Sequence, residues 1–368
     1  MSVQNISNNM QITVIGGGNI GTQFAAVCAS KGYAVKVYST KPERYNGVLE
    51  IIGENSKLLC KGRIAMATSD ISEAISGSSI IFVAVPAMLF EQTAAKMLPY
   101  ITPGVCIGVL PGSGGAEFAF QECIKKGAIL FGLQRVPAVA RLIEYGRTVH
   151  VEGQRDCLHL AAIPTEKASG LSEFMSFLFD MPCIALPNYL SVTMTPSNPI
   201  LHTTRLCTMF HDYTDGMIYD KNPLFYGEWD LASSELLLAC DQEHQNICRA
   251  LSPIDLSGVH SLRKHYESET AEALTAKLCS IASLHNLRSP MIPCENGWIP
   301  DFSSRYFTAD FPYGLVIIAE FADLAGVDVP NIKNTLDWYY RVSGSQQSFN
   351  LSKYGIHSLK DIYSLYLK

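Results

Sequence analysis

No stretch of this sequence is apolar for long enough to cross a membrane. The longest candidate, SIIFVAVPAMLF at 79–90, is broken by Pro86, well short of the ~18 residues a span needs. Charge is sparse, at 17% Asp, Glu, Lys and Arg with a net −6, so the basic footprint of a nucleic-acid binder is missing. Cys-x-x-Cys is absent as well. The eleven cysteines are scattered from Cys28 to Cys294, many within apolar runs such as that around Cys106. They read as reduced thiols rather than a disulfide framework, and no metal site is expected. The first ten residues are polar and lack an apolar core, so no secretory signal is expected and a cytoplasmic location is. There is no internal repeat and no low-complexity tract.

What is present is apolar bulk: 48% of 368 residues, enough for two cores and beyond the size at which one core usually splits. The modestly charged exterior suits a homodimer as well as a monomer. From residue 11 to about 190, short β-rich runs alternate with helical stretches. The runs are 11–16, 34–39, 80–85, 105–110, 128–133 and 157–163, with a helix over 19–31. That rhythm predicts an α/β domain with a doubly wound, mainly parallel sheet, the intervening stretches holding crossover helices. Beyond Pro187–Asn188 few strand signals remain. Helices are expected over 228–251, 270–285 and 314–325, with a polar exposed loop at 343–354. A capping box at Ser358–Asp361 opens a last helix. The expectation is a dinucleotide-binding domain at 1–188 and an all-α domain at 189–368.

The first strand runs into Gly16-Gly17-Gly18-Asn19-Ile20-Gly21, a G-x-G-x-x-G that opens a helix. Gly16 permits the tight turn, Gly18 leaves room for a pyrophosphate, and Gly21 lets helix and strand pack closely. The helix N-terminus offers free N–H groups and partial positive charge to the phosphates, with Asn19 and Ile20 in its first turn. Two further loops lie at the carboxyl edge of strands, where ligands of such sheets bind: Val85-Pro86-Ala87, and Pro111 to Gly115 with Gly112. The end of the second strand bears on which nicotinamide is bound. An NAD site usually places Asp or Glu there, whereas this chain has Ser39, Thr40, Lys41 and Arg44. Two hydroxyls and two cations can hold a 2′-phosphate, which favours NADP; Glu43 keeps NAD open, and Lys41 and Arg44 also read as solvated loop charges.

In the second half, TPSNPILHTTR at 195–205 reads as a helix with Pro196 in its first turn and Thr195 or Ser197 as cap. Asn198 and His202 are four apart and share a face. Arg305 offers a bidentate fork for a carboxylate, and Asp310 can orient a histidine ring. On spacing alone the plainer readings lead: a capped helix with a hydrogen-bonded core histidine, and an Arg305–Asp310 pair that closes a loop.

The chain resembles the opine dehydrogenases, the octopine/nopaline dehydrogenase family, over nearly its full length. The match is carried by VIGGGNIG (14–21), LPGSGGAEFAF (110–120), VPAVARLIEYGRTVHVEG (136–153), and the pair SNPILH (197–202) with RYFTADFPYGL (305–315). Arg141, Tyr145 and Gly146 are retained, while Ala140, Arg147 and Ala309 stand where the family usually has Cys, Lys and Glu. The resemblance implies a catalytic dyad of His202 and Asp310, with Asn198, Arg305, Arg141 and Tyr145 at the substrate. It also implies a helical domain of the 6-phosphogluconate-dehydrogenase C-terminal type. The implied reaction is the NAD(P)H-dependent condensation of an amino acid with a 2-oxo acid through an imine. Two other readings remain. Reductases of the ketopantoate reductase or glycerol-3-phosphate dehydrogenase type share the layout, but they place a catalytic Lys where this helix, 196–206, has His202. A non-catalytic NADP-binding sensor would have no need of the dyad.

Overall fold

The computed structural model describes residues 10–346 and 349–367. The chain divides into two compact units between Thr193 and Met194. Pro187–Asn188 precedes that division. Asn188 is buried, and its Oδ1 accepts from Ser191 N–H at 3.2 Å, which ties the short helix Leu190–Thr193 into the first unit.

The strands of the first unit are β1 (Gln11–Ile15), β2 (Ala34–Tyr38), β3 (Val48–Ile52), β4 (Leu58–Arg63), β5 (Met66–Thr68), β6 (Ile80–Val83), β7 (Cys106–Val109), β8 (Ile129–Leu133), β9 (Val139–Glu144), β10 (Thr148–Glu152), β11 (Leu158–Ile163) and β12 (Cys183–Ala185). Eight of them form one sheet in the order β12-β11-β8-β7-β6-β1-β2-β5. All its pairings are parallel except β11 with β8. Every residue of β6 and β7 is buried, as strands covered on both faces require. The helix Asn19–Ser30 covers one face, Phe24 meeting Phe82 edge-on at 5.1 Å. Strand order reverses between β1 and β6, the switch point at which ligands of such sheets bind.

Two of the stretches expected to hold crossover helices hold strands, the first of them ahead of a short helix, Ile71–Ile75. The chain between β2 and β5, and that between β8 and β11, form a second sheet, β4-β3-β10-β9. It lies against the Asn19–Ser30 helix: a Cβ added to Gly62 would come within 2.5 Å of Ser30 N and 2.6 Å of the Ala29 Cβ. The sheet's inward residues Leu49, Ile51, Ala140 and Val149 are buried in the same core. With no helix between them, β8 and β11 need no crossover and pair antiparallel.

The second unit is mainly helical. The long helix is Leu231–Ala250, started by Asp230, whose carboxylate accepts from Ser233 N. The 270–285 stretch divides into Ala271–Cys279 and Ala282–His285. The last helix, Leu359–Tyr366, opens at Ser358, where the Asp361 carboxylate accepts from Ser358 Oγ and His357 N. Two expectations need correction. A hairpin of β13 (Met291–Cys294) and β14 (Gly297–Pro300) interrupts the helices, with Cys294 paired to Gly297 across a two-residue turn, Glu295-Asn296. The polar 343–354 stretch is not a plain exposed loop, because Phe349 and Leu351 are buried and Leu351 N donates to Glu320 at 2.9 Å. Gln347 and Ser348 of that stretch lie outside the described residues. Among the described residues no helix is long and apolar enough to cross a membrane, no group of side chains is placed to hold a metal ion, and all eleven cysteines are free thiols.

Asp241 stands inside this helical core, 2% exposed, with Oδ2 accepting from Leu262 N at 2.9 Å. Burial pushes its carboxyl up to about 6. The folded chain therefore holds this proton more tightly than the unfolded chain. That contribution to stability is present at low pH and is lost as pH rises from the ordinary carboxyl range through about 6. Asp241→Asn should match the parent in urea unfolding at pH 4 and exceed it at pH 8 by on the order of 2 kcal/mol. A constant difference at both pH values would contradict this account.

Candidate active site

The glycine turn matches the three tasks its sequence assigns. Gly16 has φ +110°, where L side chains are strained, and a Cβ there would lie 2.6 Å from Ala84 O. A Cβ at Gly21 would collide with Gly16 O. Around Gly18 nothing lies within 4 Å of an added Cβ, leaving open space at the mouth of the Asn19–Ser30 helix, whose opening N–H groups have no partner within the helix. This cradle fits a dinucleotide pyrophosphate. Val85 borders it, its Cγ1 3.3 Å from the Gly16 Cβ position, and Pro86 follows, exposed.

Several residues expected here have other duties. The Asn19 side-chain oxygen accepts from Leu142 N of β9 at 2.9 Å, which fastens the second sheet to the helix. Ile20 packs partly buried against the core. Gly112 needs correction. It is buried, its N–H donates to Leu133 O, its carbonyl accepts from Tyr189 Oη at 3.0 Å, and a Cβ would lie 2.6 Å from Gly132 Cα. Packing within the unit uses both its polar groups and its missing side chain. Tyr145, expected at the substrate, lies at the glycine turn in this structure. Its hydroxyl is 2.8 Å from Ser39 Oγ and would sit 2.5 Å from a Cβ on Gly17, which puts it beside the glycine turn. Ser39 Oγ further accepts from Lys41 N at 3.0 Å, and Lys41 Nζ lies 5.7 Å from the Tyr145 ring centroid. Thr40, Lys41 and Arg44 are exposed. Arg141 is exposed on β9, its Nη1 donating to Ala140 O.

In the helical unit, His202 and Asp310 come together across 108 positions, with His202 Nδ1 2.7 Å from Asp310 Oδ2. His202 lies on the helix Ser197–Met209, which begins after Pro196 without the expected side-chain cap. Asp310 immediately precedes a π turn, Phe311–Leu315, closed by Leu315 N donating to Asp310 O at 2.9 Å. Turns of this kind often mark functional positions. A Cβ on Gly314 would lie 3.0–3.1 Å from the Pro199 ring, so the missing side chain lets the π turn settle against the helix one turn before His202. Asn198 is exposed on that helix. Arg305, also exposed, begins the short helix Arg305–Thr308, and its neighbour Tyr306 lies 4.7 Å from the His202 ring. Among the described residues Arg305 forms no ion pair; Asp310 faces His202 instead.

One member of this cluster was invisible in the sequence. Tyr226 Oη is 3.0 Å from His202 Nε2. It belongs to an irregular stretch between the helices ending at Met209 and beginning at Leu231, where no periodicity reports which face a residue shares. An ionised Asp310 accepts the Nδ1 proton, so in the neutral ring Nε2 is the acceptor for the Tyr226 hydroxyl. The site thus holds an oriented imidazole, a buried phenol and a carboxylate, the components of general acid–base chemistry.

The family model for the α-helical domain of NAD/NADP octopine/nopaline dehydrogenases matches residues 185–343. A model for the N-terminus of NAD-dependent glycerol-3-phosphate dehydrogenase matches residues 11–111. Octopine dehydrogenase of Mizuhopecten yessoensis is 26% identical, with 89% of each chain covered. Tauropine dehydrogenase of Arabella iricolor is 24% identical over 91% of this chain and 92% of its own. A solved structure of octopine dehydrogenase with NADH and L-arginine superposes with a TM-score of 0.83 at 24% identity, covering 96% of this chain and 98% of the other. The shared fold is a Rossmann-like dinucleotide domain followed by a helical one.

The Gly314 contact generates a prediction. Gly314→Val should push the π turn off Pro199, costing about 1–3 kcal/mol and lowering turnover while the glycine turn still binds dinucleotide. Calorimetry and cofactor fluorescence would separate the two effects; an unchanged melting temperature would exclude the close approach.

Proposed function

The chain belongs to the octopine/nopaline dehydrogenase family, and on that premise we propose that it is an NAD(P)H-dependent oxidoreductase acting on CH–NH bonds. It condenses an amino acid with a 2-oxo acid and reduces the resulting imine to a secondary amine. The observation that carries this reading for the chain's own residues is the 2.7 Å pairing of His202 with Asp310. A bound nicotinamide supplies the hydride that reduces the imine. His202 moves protons as the carbonyl oxygen leaves as water, and Asp310 fixes the ring tautomer and steadies its protonated form. Arg305 receives a substrate carboxylate, and Asn198, one turn before His202, hydrogen-bonds near the reacting carbon. Arg141 serves a second carboxylate. The eleven unpaired thiols suit a reducing cytoplasm.

The finer reading of the cofactor is NADP. No carboxylate stands at the end of β2, while Thr40, Lys41 and Arg44 are exposed there to meet a 2′-phosphate. Ser39→Asp should shift preference toward NADH, because a carboxylate repels that phosphate and can still accept the donors that now reach Ser39. Tighter binding of NADH than NADPH by the parent, in fluorescence titration, would reverse the assignment.

The reaction is tested by oxidation of NADPH and NADH with a panel of amino acids crossed with pyruvate, oxaloacetate and 2-oxoglutarate. Turnover should require both an amine and an oxo acid. His202→Ala should lower it ~10²-fold or more, the usual worth of a general acid–base group, with dinucleotide binding retained. Equal reduction of the oxo acid without any amine would replace this reading with a simple 2-oxo-acid reductase.

A further inference from the structure

Both nitrogens of His202 are occupied. Nδ1 faces Asp310 at 2.7 Å and Nε2 faces the Tyr226 hydroxyl at 3.0 Å. The His202 side chain is 10% exposed, with Phe225 edge-on at 5.6 Å and Tyr306 at 4.7 Å. An imidazole placed in this way can exchange a proton only through a partner. Asp310 accepts the hydrogen bond from Nδ1–H, and that proton stays on the ring, so the remaining route is the phenol.

Tyr226 is also fixed where it stands. Its ring stacks on Trp229 at 6.2 Å and meets Phe225 at 5.1 Å. The backbone on both sides is clamped by Arg205, 2% exposed and one turn beyond His202 on the same helix. Arg205 Nε donates to Phe225 O at 3.2 Å, Nη2 to Glu228 O at 2.6 Å, and Nη1 to Asp230 Oδ2 at 2.7 Å and Ser233 Oγ at 3.0 Å. Its guanidinium lies 5.3 Å from the Trp229 ring. For Tyr226 to swing aside and bare Nε2, the backbone held by Arg205 and the stacking on Trp229 would have to give way.

We propose that Tyr226 is a catalytic residue of this site, the group through which His202 exchanges its proton with the substrate, and that Arg205 is the positioning residue that holds it there. The proposal rests on the condensation reading above. In the dehydration step the imidazolium gives its Nε2 proton to Tyr226 Oη as the Tyr226 proton passes to the hydroxyl of the carbinolamine. The carbon–oxygen bond breaks, water leaves, and the nitrogen lone pair closes the C=N bond. The positive charge moves from imidazolium to iminium, and the proton used is the one the overall reaction takes from solvent per hydride. Because both transfers occur together, no free phenolate forms, a species that is costly near neutral pH.

The test is Tyr226→Phe, which removes the hydroxyl and keeps the ring, alone and combined with His202→Ala. Dinucleotide binding and melting temperature serve as controls of folding. Tyr226→Phe should lower kcat ~10²-fold or more with KM for the oxo acid within about threefold, and it should alter the pH profile of kcat. Added to His202→Ala it should cost little further, since groups acting as one unit are not additive. A kcat within about threefold of the parent with an unchanged profile, or fully additive losses, would overturn the relay. Nitrogen-15 NMR of the His202 ring tests the contact whatever the substrate. The Nε2 resonance should move in Tyr226→Phe, and its constancy would equally overturn the proposal. Absence of turnover with every amine and oxo-acid pair, with the Nε2 shift still present, would count against the condensation reading and leave the His202–Tyr226 pairing standing.

Discussion

A hydrogen atom at Gly314 occupies the place where a side chain would press on Pro199, and the helical unit's chemistry depends on that closeness. The helix Ser197–Met209 presents His202, and the π turn presents Asp310 from a distant part of the chain. Neither element alone fixes the 2.7 Å separation between them. The π turn offsets the residues around it by one position relative to a regular helix, which sets Asp310 at its entry while Phe311 and Leu315 remain buried. Phe311 stacks on Tyr339 at 4.2 Å, so the same short segment belongs to the aromatic core on one side and to the dyad on the other. A small displacement at Gly314 therefore reaches the site directly.

The first unit uses the same device for a different end. Gly16 and Gly21 are excluded from side chains by backbone oxygens, Ala84 O and Gly16 O respectively, whereas Gly18 faces open space. Two glycines bring protein against protein, and one keeps protein away from a ligand. Gly112, in an equally glycine-rich loop, belongs with the packing glycines. Sequence composition cannot separate these roles, because what distinguishes them is the neighbour that arrives from elsewhere in the fold.

That limit accounts for most of what was legible and what was not. The six strands expected between 11 and 163 and the Asn19–Ser30 helix were readable because each carries an apolar run or a helical period. The dyad was readable only through paired motifs, since 108 positions separate its members. The second sheet was missed because β3 buries only alternate residues, β10 fully buries one, and β4 exposes Leu58 and Leu59. Its burial is supplied by one helix face, which no local pattern reports. Tyr226 was missed for a related reason: its placement comes from Arg205 and Trp229, in a segment without period. The contact of Tyr145 with Ser39 was not legible, because its hydroxyl arrives from a hairpin that the sequence did not reveal.

The same geometry explains how the chain tolerates its departures from the family pattern. Ala140 stands where Cys is usual, and it is 2% exposed on the inward face of β9. There a thiol and a methyl both serve as small apolar filling, so the exchange changes packing and not the acid–base groups. Arg147 for Lys keeps the charge on an exposed turn beside Glu144. Ala309 for Glu differs in kind, since it removes a carboxylate immediately before Asp310. The carbonyl of Ala309 still accepts from Tyr313 N at 2.9 Å, so the turn that presents Asp310 keeps its backbone. What remains is a segment with one carboxylate, and that one faces His202. The dyad keeps its orienting charge, while any further contact a glutamate would make with an amine substrate falls to other residues of the unit.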